Sequence, residues 1–189
     1  MKIYITDQYK RFPQHLEVLK HQPLKNYNKS DLYKKSSIIS IESKKELHQL
    51  DLKFFFNYSV FPENIMTSMT EWNFENRNIR VGDTIVQQVF IPPIRSFSQK
   101  IILGVRINEI INEPARIGYS YETLKGHVEK GISIFTFEKS EDSKIIFKIQ
   151  TYSKPGNFLT KILGPVFSIP YQNFCTRQAL MNVKKQLEG

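Results

Sequence analysis

The stretch RIGYSYETLKGHVEKGISIF, residues 116–135, determines the fold that we predict for this chain. Apolar and polar side chains alternate along its first half and alternate again after a short glycine-containing connector, which is the pattern of half-buried β-strands. One face of the first strand carries Ile117, Tyr119, Tyr121 and Thr123, and the other carries Gly118, Ser120 and Glu122. Because parallel strands need long crossovers, the short connector predicts two antiparallel strands.

The segments on either side repeat this alternation. In QKIILGVRINEI, residues 99–110, one face carries Ile101, Leu103, Val105 and Ile107. Arg106 lies on the opposite face of the same strand. TIVQQVFIPP, residues 84–93, ends in two prolines that cannot continue a strand ladder, and KIIFKIQTY, residues 144–152, is a further strand that aligns Ile145, Phe147 and Ile149. We therefore predict an antiparallel meander.

Two shorter segments precede the meander. LKFFFNYSVF, residues 52–61, is rich in aromatic residues and predicts a strand. PENIMTSMTEW, residues 62–72, predicts a short helix with proline in its first turn. Its apolar face would carry Ile65, Met66 and Met69.

The end of the chain has the spacing of a long helix. Apolar residues recur at every fourth position: Tyr171, Cys175, Ala179, Val183 and Leu187. A separate approach helix is expected over NFLTKILG, ending at Gly164 and Pro165. The predicted fold class is α+β, with an antiparallel sheet of about six or seven strands curved around a C-terminal helix within residues 157–187.

The first fifty residues differ from the rest in charge and in pattern. They contain ten Lys or Arg residues against five Asp or Glu, and their periodicity is weak. We expect residues 1–50 to form a basic extension packed on the core, and residues 51–189 to form the one folded domain. Residues 151–189 are also basic, with five positive residues against one negative. The net charge of +9 therefore lies mainly at the two ends of the chain.

Composition excludes several classes of function. Cys175 is the single cysteine, so no disulfide framework and no cysteine-based zinc site is expected. No apolar run is long enough to span a bilayer, and the first residues lack the apolar segment of a secretory signal, so we expect a cytoplasmic protein. The basic residues flank a neutral middle instead of forming a groove, which disfavours nucleic acid as a partner. An anionic membrane surface is the alternative partner for these flanks.

The stretch GYSYETLKGHVEKG also resembles the signature of an uncharacterised family in the START-like, or Bet v 1-like (SRPBCC), helix-grip superfamily. Eight residues fall on its characteristic positions: Gly118, Tyr121, Thr123, Leu124, Gly126, His127, Glu129 and Gly131. The resemblance covers roughly residues 53–187. It implies a curved antiparallel sheet gripping a long C-terminal helix. Glu122 and Ile132 depart from the signature, which usually has glycine and glutamate there, so a role of that second glutamate does not carry over.

A candidate site follows from the same stretch. If the strand continues through the connector, His127 and Glu129 face the same side of the ribbon. A histidine that titrates near neutrality beside a carboxylate is a candidate general acid or base, and Arg106 is a candidate anion ligand. The candidate binding residues are Arg106, Tyr119, Tyr121, Thr123, His127 and Glu129. We expect no cofactor, and no metal, since His-x-Glu offers only two ligands.

A structural interpretation of the same residues stays open. Gly126 and Gly131 would allow a tight turn that the His127 side chain holds by a hydrogen bond to a carbonyl group. Glu129 and Arg106 would then form an ion pair across the strands. The sequence alone does not decide between this interpretation and a functional one.

Three functions are consistent with these features. The first is binding of a small, mainly apolar molecule between sheet and helix, against an apolar wall of Tyr119, Phe147, Ile149 and Phe174. The second is an enzyme of the same fold, cyclase-like or hydrolase-like, that uses His127 and Glu129. The third is docking on an anionic membrane surface through the basic ends.

Overall fold

A computed structural model describes residues 2–94, 97–140, 144–155 and 157–189, and gives no side-chain placement for Lys2, Lys29, residues 154 and 155, and residues 157–169. The strands are β1 (Lys2–Tyr4), β2 (Tyr33–Ile41), β3 (Met66–Thr70), β4 (Thr84–Ile91), β5 (Gln99–Glu113), β6 (Arg116–Thr123), β7 (Glu129–Lys139) and β8 (Ile145–Pro155). The helices are α1 (Phe12–Lys20), α2 (Lys53–Phe56), α3 (Glu71–Phe74) and α4 (Asn157–Glu188). The chain is thus α+β, with a large antiparallel sheet and a C-terminal helix.

The meander predicted from alternation is confirmed. Strands β4 to β8 are antiparallel neighbours in chain order, and the sheet order is β2-β8-β7-β6-β5-β4-β3. Val105 pairs with Thr123, and Ile149 pairs with Phe135, so the apolar faces predicted for the separate strands lie on one side of the sheet. A β-bulge between Ile107 and Glu109 shifts the register of β5 against β6.

The first fifty residues contribute two strands to this sheet. β2 pairs along its whole length with β8 and forms one edge, from Tyr33 opposite Ser153 to Ile41 opposite Ile145. β1 pairs with the first part of β5, beyond the point where β6 ends. The sheet therefore has eight strands, more than the six or seven that the alternation predicts.

The inner face of the sheet, the face that α4 covers, carries the main core. Phe55, Tyr119, Phe137 and Phe147 are fully buried there, and their rings lie in edge-on and tilted contacts at centroid distances of 4.7 to 6.0 Å. Ala179 and Val183 of α4 join the same cluster, as the spacing of the helix predicts. This end of the interior is filled by side chains.

The opposite, outer face is covered by α1. Phe12 and Leu16 pack on Val86 and Ile102, and all four side chains are buried. A Cβ atom at Gly104 would lie 2.7 Å from a methyl carbon of Leu19, so the glycine lets the helix approach the strand closely. The N-terminal segment thus forms a second layer on the sheet.

The predictions for residues 52–72 were wrong, and the two elements are exchanged. Of the residues predicted as a strand, Lys53–Phe56 form α2, a single helical turn that buries Phe55. Residues predicted as a helix contain β3, in which Met66 packs on the inner core and Met69 on the outer cluster. Side chains three residues apart lie on opposite faces of a strand, so these methionines do not share the predicted face.

The predicted break at Gly164 and Pro165 is also absent, because α4 is continuous from Asn157 to Glu188. Each proline removes only one backbone donor, and the helix continues on both sides of it. Pro170 accordingly lies inside the helix and not in a first turn. Among the described residues, no helix is long and apolar enough to cross a membrane.

Candidate functional site

A cavity of about 430 Å³ lies between the inner face of the sheet and α4, beside the packed core. Its apolar lining includes Val89, Ile101, Leu103, Val128, Phe135 and Ile149. Its polar lining includes Lys35, Gln87, Tyr121, His127, Glu129 and Gln172. The cavity therefore combines a mainly apolar wall with a few hydrogen-bonding groups, as small-molecule sites commonly do.

The β6–β7 connector forms one wall of this cavity. The His127 amide donates to the Leu124 carbonyl at 3.0 Å, which closes a four-residue turn. Gly126, the third residue of this turn, has the positive φ of 93° that glycine adopts most easily. Gly131 has a φ of +143°, and a Cβ atom there would lie 1.9 Å from the backbone oxygen of Tyr152. Glycine is needed at both positions, one for the turn and one for a close approach of two strands.

The His127 ring is held by the backbone that follows it. Its Nδ1 lies 3.0 Å from the Glu129 amide nitrogen and 3.3 Å from the Glu129 carbonyl oxygen. When Nδ1 accepts the shorter hydrogen bond, from the amide, the neutral ring carries its proton on Nε2. Burial, reinforced by the nearby Lys25 ammonium, lowers the pKa of His127 to about 3. The imidazole is neutral at physiological pH, and the predicted titration near neutrality is not what this environment gives.

The Glu129 side chain forms a hydrogen bond to α4. Its Oε1 accepts a hydrogen bond from Gln172 Nε2 at 2.5 Å. Burial raises the pKa of Glu129, and the positive charges of Lys35 and Lys25 oppose that rise. Lys35 also donates to Asn173 Oδ1, so the edge strand β2 reaches α4 at the same place.

Lys25, from the N-terminal segment, supports the connector from behind. Its Nζ donates to the His127 carbonyl at 2.6 Å and to the Glu129 carbonyl at 3.3 Å. Its amide donates to the Thr123 carbonyl at 2.9 Å. Burial lowers the pKa of this lysine. The ammonium group thus satisfies two carbonyl oxygens that the turn leaves without strand partners.

A second polar group lies on the floor of the cavity. Gln87 Nε2 donates to the Tyr58 hydroxyl at 2.6 Å, and Tyr58 and Tyr121 are joined by a hydrogen bond between their side chains. Tyr121 also interacts with the Ser133 hydroxyl. Burial raises the pKa of both tyrosines, so the floor carries neutral hydroxyl and amide groups.

Four of the residues singled out from the sequence line the cavity: Tyr121, His127, Glu129 and Ile149. Thr123 is buried next to them, where its hydroxyl accepts a hydrogen bond from the Gly131 amide at 3.2 Å. The signature stretch therefore brings one wall of the cavity together, although the Thr123 side chain supports the backbone instead of facing the cavity.

Arg106 lies on the other side of the sheet. Its Nη2 donates to the carbonyls of Lys20 and Leu19, at 2.8 and 3.3 Å, at the C-terminal end of α1. A cation is favourable at that end of a helix, where backbone carbonyls lack partners. Arg106 therefore neither lines the cavity nor pairs with Glu129, because strand alternation separates them.

The apolar wall expected from the sequence is largely elsewhere. Tyr119 and Phe147 are fully buried in the packed aromatic core, and Phe174 points outward from α4 with 40% of its surface exposed. Phe174 is exposed because it precedes Cys175 by one residue, and adjacent residues of a helix lie on different faces. Burial raises the pKa of the Cys175 thiol to about 11, which keeps it protonated.

Several cavity residues were not anticipated from the sequence. Gln172 and Lys35 come from segments far from the connector in sequence, and Lys25 lies in a stretch with weak periodicity. Gln87 is the most visible of them, because it is a polar residue on the otherwise apolar face of a strand. Among the described residues, no three His, Cys, Asp or Glu side chains are grouped as metal ligands would be.

The chain is similar to known proteins in sequence and in fold. It matches the family described as Domain of unknown function (DUF1990) over residues 54–182. It is 31% identical over 61 residues to UPF0548 protein At2g17695 of Arabidopsis thaliana, a match that spans 32% of this chain and 30% of that protein.

A solved structure shares the fold. The hypothetical protein jhp0584 from Helicobacter pylori superposes with a TM-score of 0.51 and 12% sequence identity, covering 82% of this chain and 85% of that one. Likeness at this identity concerns the fold alone. The family match covers most of the chain, including the connector, the cavity wall and most of α4, and the chain therefore belongs to the DUF1990 family.

Proposed function

We propose that this protein binds a small, mainly apolar molecule in the cavity between the sheet and α4. The observation that carries the proposal is the cavity itself, whose volume of about 430 Å³ is in the range of small-molecule sites. Protein interiors normally leave few voids larger than a water molecule. A space of this size, lined by apolar side chains with a few polar groups, is suited to a ligand.

The cavity is confined to one end of the interior. Large aromatic rings fill the other end, where Phe55 packs against Tyr119 and Phe137. Around the cavity, β4 and β5 carry smaller aliphatic side chains such as Val89 and Leu103, while Tyr121 and Phe135 of the neighbouring strands also line it. This difference between the two ends supports a ligand site, because aromatic side chains at positions 89 and 103 would have filled the space.

We also propose that the fold is a helix-grip of the START-like superfamily. Three features support the proposal: the antiparallel order of β4 to β8, the packing of Ala179 and Val183 on the inner face, and the cavity between the two. Three of the signature residues, Tyr121, His127 and Glu129, line this cavity, which links the family resemblance to a physical site.

Binding is better supported than catalysis by a cyclase-like or hydrolase-like enzyme. A general base works best when its pKa is near the operating pH. His127, with a pKa of about 3 and with Nδ1 already accepting a hydrogen bond, is a weak base at neutral pH. The same contacts fit a group that holds a turn and offers one N–H to the cavity.

Ligand screening tests the binding proposal. We expect native mass spectrometry of the purified protein, or thermal-shift screening, to find a neutral apolar compound that stabilises the fold. A Leu103→Phe variant places extra atoms in the cavity and should lose that stabilisation. Val18→Phe, on the exposed side of α1, is the matched control and should retain it. Equal stabilisation of both variants would show that the compound binds elsewhere.

Docking on an anionic membrane surface is a second candidate function. Lys44 and Lys45 follow β2, and Lys184 and Lys185 are near the end of α4. These two segments are joined, since Lys184 Nζ donates to the Ser40 carbonyl at 3.2 Å. Lysines near anionic lipid contribute about 1 kcal/mol each, so this corner would bind in a salt-sensitive manner.

Liposome sedimentation at low salt tests the docking proposal. A double substitution of Lys44→Glu and Lys45→Glu should weaken binding to anionic vesicles strongly. The control, Lys10→Glu with Arg11→Glu, changes net charge equally at exposed positions on the other side of the sheet. If both variants lose the same affinity, net charge alone is responsible, and the corner is not a docking site.

A further inference from the structure

Two polar groups of the connector remain open toward the cavity. His127 Nδ1 accepts from the Glu129 amide, which leaves the Nε2 proton as a donor, and no acceptor for it lies among the described residues. One carboxyl oxygen of Glu129 accepts from Gln172, and the second has no hydrogen-bond partner within the described part of the chain. Both side chains line the cavity.

The two groups are neighbours on the same wall. His127 ends the turn and Glu129 begins β7, and the hydrogen bond from the Glu129 amide to His127 Nδ1 holds the imidazole beside Glu129. A hydrogen-bond donor is therefore next to an acceptor, at the edge of an apolar surface formed by Val128, Ile101 and Leu103. A ligand that enters this space covers both groups, and leaving either of them without a partner is costly.

We propose that the ligand carries a hydroxyl group, which accepts a hydrogen bond from His127 Nε2 and donates one to Glu129. The inference rests on the proposed binding function and names the class of molecule: an apolar alcohol. Its hydrocarbon part lies along the aliphatic wall of the cavity. A hydroxyl group is the smallest group that both donates and accepts.

Charged head groups fit this wall less well. A carboxylate has no proton to donate and would lie against the Glu129 carboxyl group, so two negative groups would share a buried site. An ammonium group cannot accept a hydrogen bond from His127. It would also lie near the cations Lys25 and Lys35, whose positive charges already stabilise the Glu129 carboxylate. A hydroxyl group pairs with Glu129 in either protonation state, because it both donates and accepts.

The test compares three probes with the same ten-carbon chain: 1-decanol, decanoate and decylamine. Each displaces the neutral fluorescent dye N-phenyl-1-naphthylamine from the full-length protein at pH 7. We expect 1-decanol to bind at least about tenfold more tightly than the two charged probes, the difference made by one well-formed hydrogen bond to a buried group. Equal affinities, or tighter binding of decanoate or decylamine, would overturn the inference while leaving the binding function intact.

Two variants locate the effect. His127→Asn keeps an acceptor for the Glu129 amide, since asparagine bonds the backbone two residues on, but it lacks the donor toward the cavity. It should weaken 1-decanol about tenfold more than it weakens the dye. Ile149→Val, the apolar control, should change the dye and 1-decanol by similar factors. Unchanged 1-decanol affinity in His127→Asn would overturn the inference, and failure of the dye and all three probes to bind would overturn the binding function itself.

Discussion

The neutral, half-buried imidazole of His127 should make the stability of the fold depend on pH. Its pKa in the folded protein is about 3, against 6.5 for an unperturbed histidine. When the pH falls from 7 to 5, the unfolded chain takes up a proton at this residue and the folded chain does not. Stability falls wherever the unfolded state binds more protons. The two pKa values give a loss of about 2 kcal/mol over this interval, with a limiting slope of about 1.4 kcal/mol per pH unit.

Urea denaturation at pH 7 and pH 5 measures this loss, and the His127→Asn variant isolates it. Asparagine cannot titrate but can keep the hydrogen bond to the Glu129 amide. The variant should therefore lose about 2 kcal/mol less than the wild type between the two pH values. Contributions of Glu129, whose raised pKa acts in the opposite direction, and of the other histidines cancel in the comparison. Identical losses in the two proteins would refute a neutral imidazole with a lowered pKa.

Three further predictions concern the stability of the fold and are measured by urea denaturation. Gly131→Ala should lower the free energy of unfolding by about 3 kcal/mol or more, because its Cβ would meet a backbone oxygen at 1.9 Å. The control, Gly82→Ala, has a φ of +95° and open space around the new Cβ, and should lower it by about 1–2 kcal/mol. Equal losses would contradict the steric explanation. Asp83→Asn should cost about 1.5–3 kcal/mol, because it weakens the two-bond pairing with Arg77 at 2.7 and 2.8 Å, and an unchanged midpoint would contradict this. Lys25→Met keeps the apolar stem but removes the donor to the carbonyls of His127 and Glu129, and should lower the free energy of unfolding by about 1–2 kcal/mol. An unchanged free energy of unfolding would contradict this prediction.

The sheet was predictable from sequence where strands alternate and follow one another closely. Residues 84–152 met both conditions, and the antiparallel meander predicted for them is present. β2 escaped prediction because it is an edge strand whose first four residues are exposed on both faces, which removes the alternation that a half-buried strand shows. The exchange of helix and strand in residues 52–72 has a different cause, since short apolar runs fit both periods.

The candidate site was predictable only in part. Tyr121, His127 and Glu129 lie within one continuous stretch, so their proximity follows from the tight turn that joins β6 to β7. The partner of the Glu129 carboxyl group, Gln172, comes from α4, and no local pattern indicates which helix face meets which strand. The alternation of Arg106 with Val105 already placed Arg106 on the opposite face of β5. It was included among the candidate binding residues because a guanidinium group can bind an anion.

The pairing of β2 with β8 also bears on how the chain folds during synthesis. The paired residues are more than a hundred positions apart, with Tyr33 opposite Ser153 and Ile41 opposite Ile145. At about 5–20 residues per second, a ribosome needs roughly 5–25 s to make the second strand after the first. Throughout that interval β2 is an unpaired strand, able to join another chain. Lys34 and Lys35 discourage such pairing, so part of the N-terminal charge protects the nascent protein from aggregation until its own partner strand emerges.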